Sequence, residues 1–140
     1  MLEGSVDVVS RTGDGAVAVS VYNGHLPCLL PQHAPGKKHE RRIALEEWQL
    51  ALMLATPWSF IRGCIRTDGS AFINRTGRYE YLSYDFSNRS GEIARLLAVA
   101  YWHVGLAYRL THNESRDLWD IRVNRRSSVA RMLEHVGHKE

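Results

Sequence analysis

The sequence has few cysteines and no long apolar run. Its two cysteines, Cys28 and Cys64, cannot build a disulfide framework, which agrees with a reducing compartment. No apolar stretch approaches the roughly 18 residues of a membrane-spanning helix, and no signal peptide is present, so we expect a soluble, cytoplasmic protein without membrane contact. With 140 residues and a hydrophobic share of 44%, the chain has the size of one domain with a buried core, or slightly more.

Lysine is also scarce. Of the 18 basic residues 15 are arginines, and the net charge is only +3. The planar guanidinium of arginine suits phosphate oxygens and guanine edges better than the lysine ammonium does. The composition therefore allows two interpretations: a surface that binds nucleic acid, or ordinary solvated arginines.

From Thr56 onward the pattern predicts alternating helices and hairpins. Thr56 and Pro57 begin a helix over residues 58–67 that stops at the Asp68-Gly69 pair, and a connecting helix is expected over residues 43–55. The further elements are expected as strands at 71–76 and 79–88, a helix at 91–104, strands at 107–112 and 118–124, and a helix at 127–135. The order α-β-β-α-β-β-α predicts an α+β fold with a four-stranded antiparallel sheet and helices on one face.

The segment 61–69 places a glycine within an apolar helix and an Asp-Gly pair at its end. The glycine lets another backbone come close, and the helix end presents a carboxylate. This segment resembles the motif helix of the LAGLIDADG homing endonucleases, and the element order over residues 58–140 resembles one half-domain of that family. Gly63, Ile65, Asp68 and Gly69 match the motif, Ile61 is similar, and Arg62, Cys64, Arg66 and Thr67 depart from it.

The resemblance implies a site-specific DNA endonuclease that depends on a divalent cation such as Mg²⁺, or a decayed relative of one. Asp68 would bind the metal, because hard cations prefer carboxylate oxygens. Asn88 would orient water, and Lys139 would steady charge at the phosphate. Each residue also has a purely structural interpretation, as a helix stop, a turn asparagine and a solvated lysine near the chain end. The alternative function is a non-cleaving DNA-binding or regulatory module on the same fold.

The resemblance further implies two motif helices for each cleavage site, whereas this sequence has one. We therefore expect a second half-domain, from a second copy or a separate chain, to meet this helix. Segment 17–33 shares an outline with segment 119–135, which predicts a partial internal repeat. Residues 1–42 are accordingly predicted to be a hairpin, short helix and basic linker left from a first half-domain, and residues 43–140 a whole half-domain. The contact residues on the helix are expected to be Ile61, Gly63, Cys64 and Ile65.

The open face of the predicted sheet is the expected surface for double-stranded DNA. Alternation along the strands assigns polar side chains to this face, and Arg, Asn, Ser and Thr are residue types that read base edges. A solvated strand face shows the same alternation, so both interpretations stay open. The candidates are Asn74, Arg78, Tyr81, Ser83, Asp85, Arg109, Thr111, Arg122 and Asn124, with Arg125 and Arg126 at the strand end for phosphates.

Overall fold

The structure, a computed structural model, describes residues 5–11, 17–22, 24–30, 32–33, 35–37 and 40–138. The chain divides into two units, residues 1–35 and 36–140. In the first unit, β1 (Ser5–Arg11) pairs antiparallel with β2 (Val17–Tyr22), and the one-turn helix α1 (Leu26–Leu29) follows. The turn predicted between these strands lies outside the described residues. The origin of this segment in a first half-domain stays a prediction.

The described part of the second unit contains helices and one sheet. The elements are α2 (Glu47–Ala55), α3 (Pro57–Asp68), β3 (Gly69–Thr76), β4 (Tyr79–Asn88), α4 (Gly91–His103), β5 (Arg109–Asn113), β6 (Leu118–Val123) and α5 (Arg126–His135). The strands pair antiparallel in the order β3-β4-β6-β5, so the predicted α+β fold with a four-stranded antiparallel sheet is confirmed. Within the described ranges, no helix has the length and hydrophobicity of a membrane-spanning segment.

The core of this unit lies between one face of the sheet and helices α3, α4 and α5. Alternate side chains of β4 and β6 point inward, as the period of a strand requires, and meet apolar side chains at helical spacing on the helices. Burial raises the pKa of Tyr84 and of Tyr101. The Tyr84 hydroxyl donates a 2.8 Å hydrogen bond to the carbonyl oxygen of Gly137, which ties the segment after α5 to the core. The largest fully buried side chains are Tyr84, Tyr101, Phe86, Ile61, Ile65, Leu97, Ile121, Met132 and Val123.

Local signals account for most element boundaries. Ser90 caps α4, because its Oγ accepts a 3.3 Å hydrogen bond from the backbone N–H of Ile93. The chain leaves α4 through Gly105, whose φ of +73° is a left-handed conformation that favours glycine. The helix predicted over residues 43–55 begins later, at Glu47, where Glu46 and Gln49 form a capping box.

Helix α2 carries large apolar side chains that are exposed. The exposed fractions of Trp48 and Leu52 are 50% and 57%, and Met53 is the buried residue of this helix. The helix contacts α3 and α4. An apolar residue at helical spacing therefore does not by itself identify the buried side of this helix.

Candidate functional site

The motif helix α3 has one buried and one exposed side. Ile61 and Ile65 are 0% exposed and belong to the core of this same unit. The prediction that these two isoleucines contact a partner is therefore wrong, because α3 needs them to pack on its own sheet and on α4. Gly63 lies on the exposed side, and a Cβ built there would meet nothing within 4 Å in the described part of the chain. Arg62, Arg66 and Thr67 share this exposed side.

The first half of α3 is fixed to the end of α5. Arg62 donates two hydrogen bonds to the carbonyl oxygen of His135, of 3.0 Å from Nε and 2.6 Å from Nη2. The His135 ring stacks on Trp58 with 4.1 Å between ring centroids, and the Arg131 guanidinium lies 5.5 Å from the same Trp58 ring. These contacts hold the exposed side of the motif helix in a set orientation.

Cys64 is partly buried on α3, next to the core. Burial raises its pKa to about 11, and the charge of Asp68, one turn further along the helix, adds to the rise. The thiol is therefore neutral at physiological pH. A partly buried thiol with a raised pKa is a poor nucleophile, and Cys64 packs against the core.

Asp68 is the last residue of α3, and it is exposed. Asn88, at the end of β4, donates a 2.9 Å hydrogen bond from Nδ2 to Asp68 Oδ2. The same amide accepts a 2.8 Å hydrogen bond at Oδ1 from the backbone N–H of Ser90. Asn88 is only 7% exposed. Both ends of its amide contact the protein, so in this structure Asn88 orients the carboxylate of Asp68 rather than a water molecule.

Gly69 fixes the angle at which the sheet leaves the motif helix. A Cβ at this position would lie 2.6 Å from the Cα of Ile65 and 2.8 Å from its carbonyl oxygen. Only glycine fits such a close approach of two backbone segments. The carboxylate of Asp68 is therefore held at a rigid junction between α3 and β3.

The acidic residue at this junction suits a hard divalent cation, which prefers oxygen ligands. One carboxylate is an incomplete ligand set. Within the described ranges, no group of three or more His, Cys, Asp or Glu side chains could hold a metal ion. The described residues therefore provide Asp68 as one oxygen ligand, which Asn88 orients through its hydrogen bond. Lys139 lies outside the described residues, so its role at the phosphate stays a prediction.

The open face of the sheet presents its side chains in rows across the strands. The register places Asp85, Arg122 and Arg109 in one row, and Asp120 and Thr111 in the next. These five residues line a shallow cavity of about 160 Å³. Arg122 Nη2 donates a 2.7 Å hydrogen bond to Asp85 Oδ2, and this contact raises the pKa of Arg122.

Alternation assigned most of the predicted DNA-binding residues to the correct face. Ser83 lies on the open face as predicted, but its side chain is not accessible, since the residue is 0% exposed. Its Oγ accepts a 2.6 Å hydrogen bond from Asn74 Nδ2. The prediction that Ser83 contacts DNA directly is therefore wrong in this structure. The residues that the strand pairing places on the open face as predicted are Asn74, Tyr81, Asp85, Arg109, Thr111 and Arg122.

The remaining predicted residues lie at the ends of strands. Arg78 is in the turn between β3 and β4, and Arg125 and Arg126 begin α5. Asn124 follows β6 and lines a cavity of about 430 Å³ together with Arg126, Tyr79 and Tyr81, among others. These residues border the open face instead of standing on it.

The open-face residues that the sequence prediction missed include one hydrogen-bonded cross-strand pair. Ser87 and Asp120 are cross-strand partners, and Ser87 Oγ donates a 2.5 Å hydrogen bond to Asp120 Oδ1. The same alternation that identified Asp85 and Arg122 also places these two residues on that face. The alternation along β4 and β6 therefore carries the sequence signal for both residues.

A motif helix that runs directly into a four-stranded sheet, with an exposed carboxylate at the junction and an open polar face, defines a half-domain of the homing-endonuclease type. A family model described as a LAGLIDADG-like domain matches residues 56–137, more than half of the chain. The match extends from the residue before α3 to the segment just after α5. The chain therefore belongs to the LAGLIDADG-like family. A search of curated proteins found no match.

Proposed function

We propose that this chain binds duplex DNA on the open face of the β3-β4-β6-β5 sheet and supplies one half of a site-specific endonuclease that depends on a divalent metal. Asp68 carries this proposal. It is an exposed carboxylate at the end of the motif helix, and the buried amide of Asn88 orients it across a 2.9 Å hydrogen bond. Members of the family generally bind DNA, form dimers and use a divalent metal, which supports the assignment.

The second half-domain would meet the exposed side of α3. Gly63 leaves room for a neighbouring backbone there, since nothing in the described ranges lies within 4 Å of a Cβ at this position. A partner seated on this side would bring a second acidic residue close to Asp68. A bound Mg²⁺ would then polarise a phosphate oxygen and lower the pKa of a water molecule. Asp68 supplies one oxygen ligand, Asn88 holds that oxygen in place, and the open face holds the DNA.

Cleavage of a randomised duplex library tests this function. The full chain is incubated with the library in Mg²⁺ or in EDTA, and new DNA ends are sequenced. We expect Mg²⁺-dependent ends at a restricted set of sequences. Asp68→Asn should lower their yield by about a hundredfold or more, because the charge that attracts the metal is lost, while DNA binding in Ca²⁺ is retained.

Asp117→Asn is the matched control for that experiment. It makes the same charge change on an exposed residue in the turn between β5 and β6, and its φ of +47° is one that asparagine tolerates. This variant should cleave like the wild type. If Asp68→Asn cleaves as well as Asp117→Asn does, Asp68 is not a metal ligand.

The second candidate function is a non-cleaving DNA-binding module. The observation that favours it is that the described part of the chain has one motif helix, which supplies one exposed acid where cleavage needs two. Both functions predict DNA affinity that falls steeply with salt, as phosphate contacts require. They differ in cleavage, since a module that only binds would yield no new DNA ends with any divalent metal.

A further inference from the structure

The central strand β6 presents a hydrogen-bond donor and an acceptor side by side on the open face. Arg122 and Asp120 are two residues apart, so both side chains point to the same face. Each is held by its cross-strand partner on β4: Asp85 Oδ2 accepts a 2.7 Å hydrogen bond from Arg122, and Ser87 donates a 2.5 Å hydrogen bond to Asp120.

The position of the acid is the informative part of this arrangement. A carboxylate on a surface that meets DNA repels the phosphates, so it lowers affinity unless a base donates a hydrogen bond to it. Asp120 is partly buried on β6, which has β4 on one side and β5 on the other, away from the sheet edges where phosphates would lie. Its place suits the middle of a groove, where the base edges are.

Asp85 and Ser87 occupy only part of the hydrogen-bonding capacity of Arg122 and Asp120. A guanidinium has five N–H donors, and Asp85 accepts from one of the two on Nη2. Ser87 binds one oxygen of the Asp120 carboxylate, namely Oδ1. Charge-assisted hydrogen bonds of this kind are strong and also orient the side chains that make them. Asp85 and Ser87 therefore have the geometry of positioning residues behind Arg122 and Asp120.

We propose that Arg122 and Asp120 are a specificity pair of the DNA site. Arg122 donates to O6 and N7 of a guanine, and Asp120 accepts from the N4 amino group of a cytosine, both in the major groove. Two residues along a strand span about 6.6 Å, and successive bases are about 3.4 Å apart, so the guanine and the cytosine lie in base pairs about two steps from each other. This assignment rests on the proposed function and adds which bases are read.

Selection from a randomised duplex pool tests the pair. The purified full chain is used in EDTA, so that no cleavage interferes, and bound duplexes are sequenced. We expect the wild type to enrich a motif with a guanine and a cytosine about two positions apart. Asp120→Asn should lose the cytosine preference by about tenfold and keep the guanine, and Arg122→Met, which keeps the length of the side-chain stem but has no N–H donor, should do the reverse. Thermal unfolding of each variant confirms that it is folded.

Matched variants separate base recognition from general effects. Asp117→Asn makes the same charge change in an exposed turn and should select the wild-type motif. Ser87→Ala should weaken the preference at the same position as Asp120→Asn, since it frees the carboxylate; a purely structural role would lower stability without altering one position. Ser87→Ala also serves as the test if Asp120→Asn does not fold.

The results that overturn this inference are distinct from those that overturn the proposed function. The specificity pair is wrong, while DNA binding stands, if Asp120→Asn and Ser87→Ala both select the wild-type motif. It is also wrong if the wild-type protein selects adenine at the position where cytosine is expected. If the wild type enriches no sequence and its affinity does not depend on salt, the proposed function fails, and the inference fails with it.

Discussion

Asn88 and Asp68 join the end of β4 to the end of the motif helix through a 2.9 Å hydrogen bond from Nδ2 to Oδ2. The other end of the same amide accepts a hydrogen bond from the backbone N–H of Ser90, which precedes α4. One buried side chain therefore links α3, β4 and α4 at the candidate metal ligand. The orientation of the carboxylate depends on the packing of the unit and not on the helix end alone.

Replacing Asn88 by alanine should therefore affect both stability and cleavage. The loss of the amide leaves the N–H of Ser90 without its partner and should lower the free energy of unfolding by about 1–3 kcal/mol. Cleavage should fall by about tenfold or more at a temperature where the variant is folded, because Asp68 is no longer oriented. Urea unfolding and the library cleavage assay measure the two effects.

Ser90→Ala is the control for Asn88→Ala. It removes the cap of α4 and should cost about 1 kcal/mol, but it leaves the contact between Asn88 and Asp68 intact. Cleavage by folded Ser90→Ala should equal that of the wild type. Equal losses of cleavage in the two variants would show that the junction matters only for stability.

The two glycines of the motif should respond in opposite ways to the same substitution. Gly69→Ala places a Cβ 2.6 Å from the backbone of Ile65, which cannot move aside, and should destabilise the protein by about 3 kcal/mol. Gly63→Ala adds a methyl group in open space within a helix and should stabilise the isolated chain by about 0.5–1 kcal/mol. Urea unfolding measures both, and a loss of stability at Gly63→Ala would contradict the open surroundings of that residue.

A larger side chain at residue 63 tests the role of the exposed side of α3. Gly63→Leu should leave the single chain folded but prevent a neighbouring helix from approaching, so association on DNA and double-strand cleavage should both fall. Sedimentation of the complex with DNA measures its mass. Ala130→Leu, which adds nearly as much bulk on an exposed position of α5, should associate like the wild type. Unchanged association in Gly63→Leu would place the partner contact elsewhere.

The enclosed thiol of Cys64 predicts a specific loss of stability at alkaline pH. Its pKa is raised from 9.0 to about 11 in the folded protein, so folding favours the protonated thiol. This contribution is complete below pH 9 and is lost as the pH rises to about 11; two pKa units correspond to about 3 kcal/mol at most.

A comparison with Cys64→Ala isolates that contribution. Both proteins carry Cys28→Ser, so that the exposed thiol does not interfere. The free energy of unfolding, measured in urea from pH 8 to pH 11, should fall more for the protein with Cys64 than for Cys64→Ala. Parallel curves would show that Cys64 is not enclosed.

The order of elements was predictable because each has a local signal. The alternation of β4, the cap at Ser90 and the stop at Gly105 need no information from distant parts of the chain. The pairing of β3 with β4 and of β5 with β6 then followed from short hairpin turns, whereas no turn specifies the pairing of β4 with β6, which are separated by α4 and β5. The inward faces of β4 and β6 were also predictable, since one face of each strand is apolar.

The exposure of single residues was less predictable, because it depends on neighbours that are distant in sequence. Ile65 matches the motif and Ile61 is similar to it whether they face a partner or their own core, and only the packing of α4 and the sheet decides between the two. Ser83 alternates like an exposed residue, yet Asn74 from the neighbouring strand binds it. The contact between Asp68 and Asn88 joins residues 20 positions apart, and no local sequence pattern predicts it.

The central claim is that residue 68 lies beside the DNA backbone when the open face is occupied. An iron chelate attached to Asp68→Cys, in a protein with Cys28→Ser and Cys64→Ala, generates radicals that cut nearby DNA. We expect strand breaks confined to a few adjacent nucleotides of a selected duplex. The same chelate on Val99→Cys, on the exposed side of α4, should give no localised breaks. Bound DNA that is cut diffusely, or not at all, from residue 68 would contradict the account.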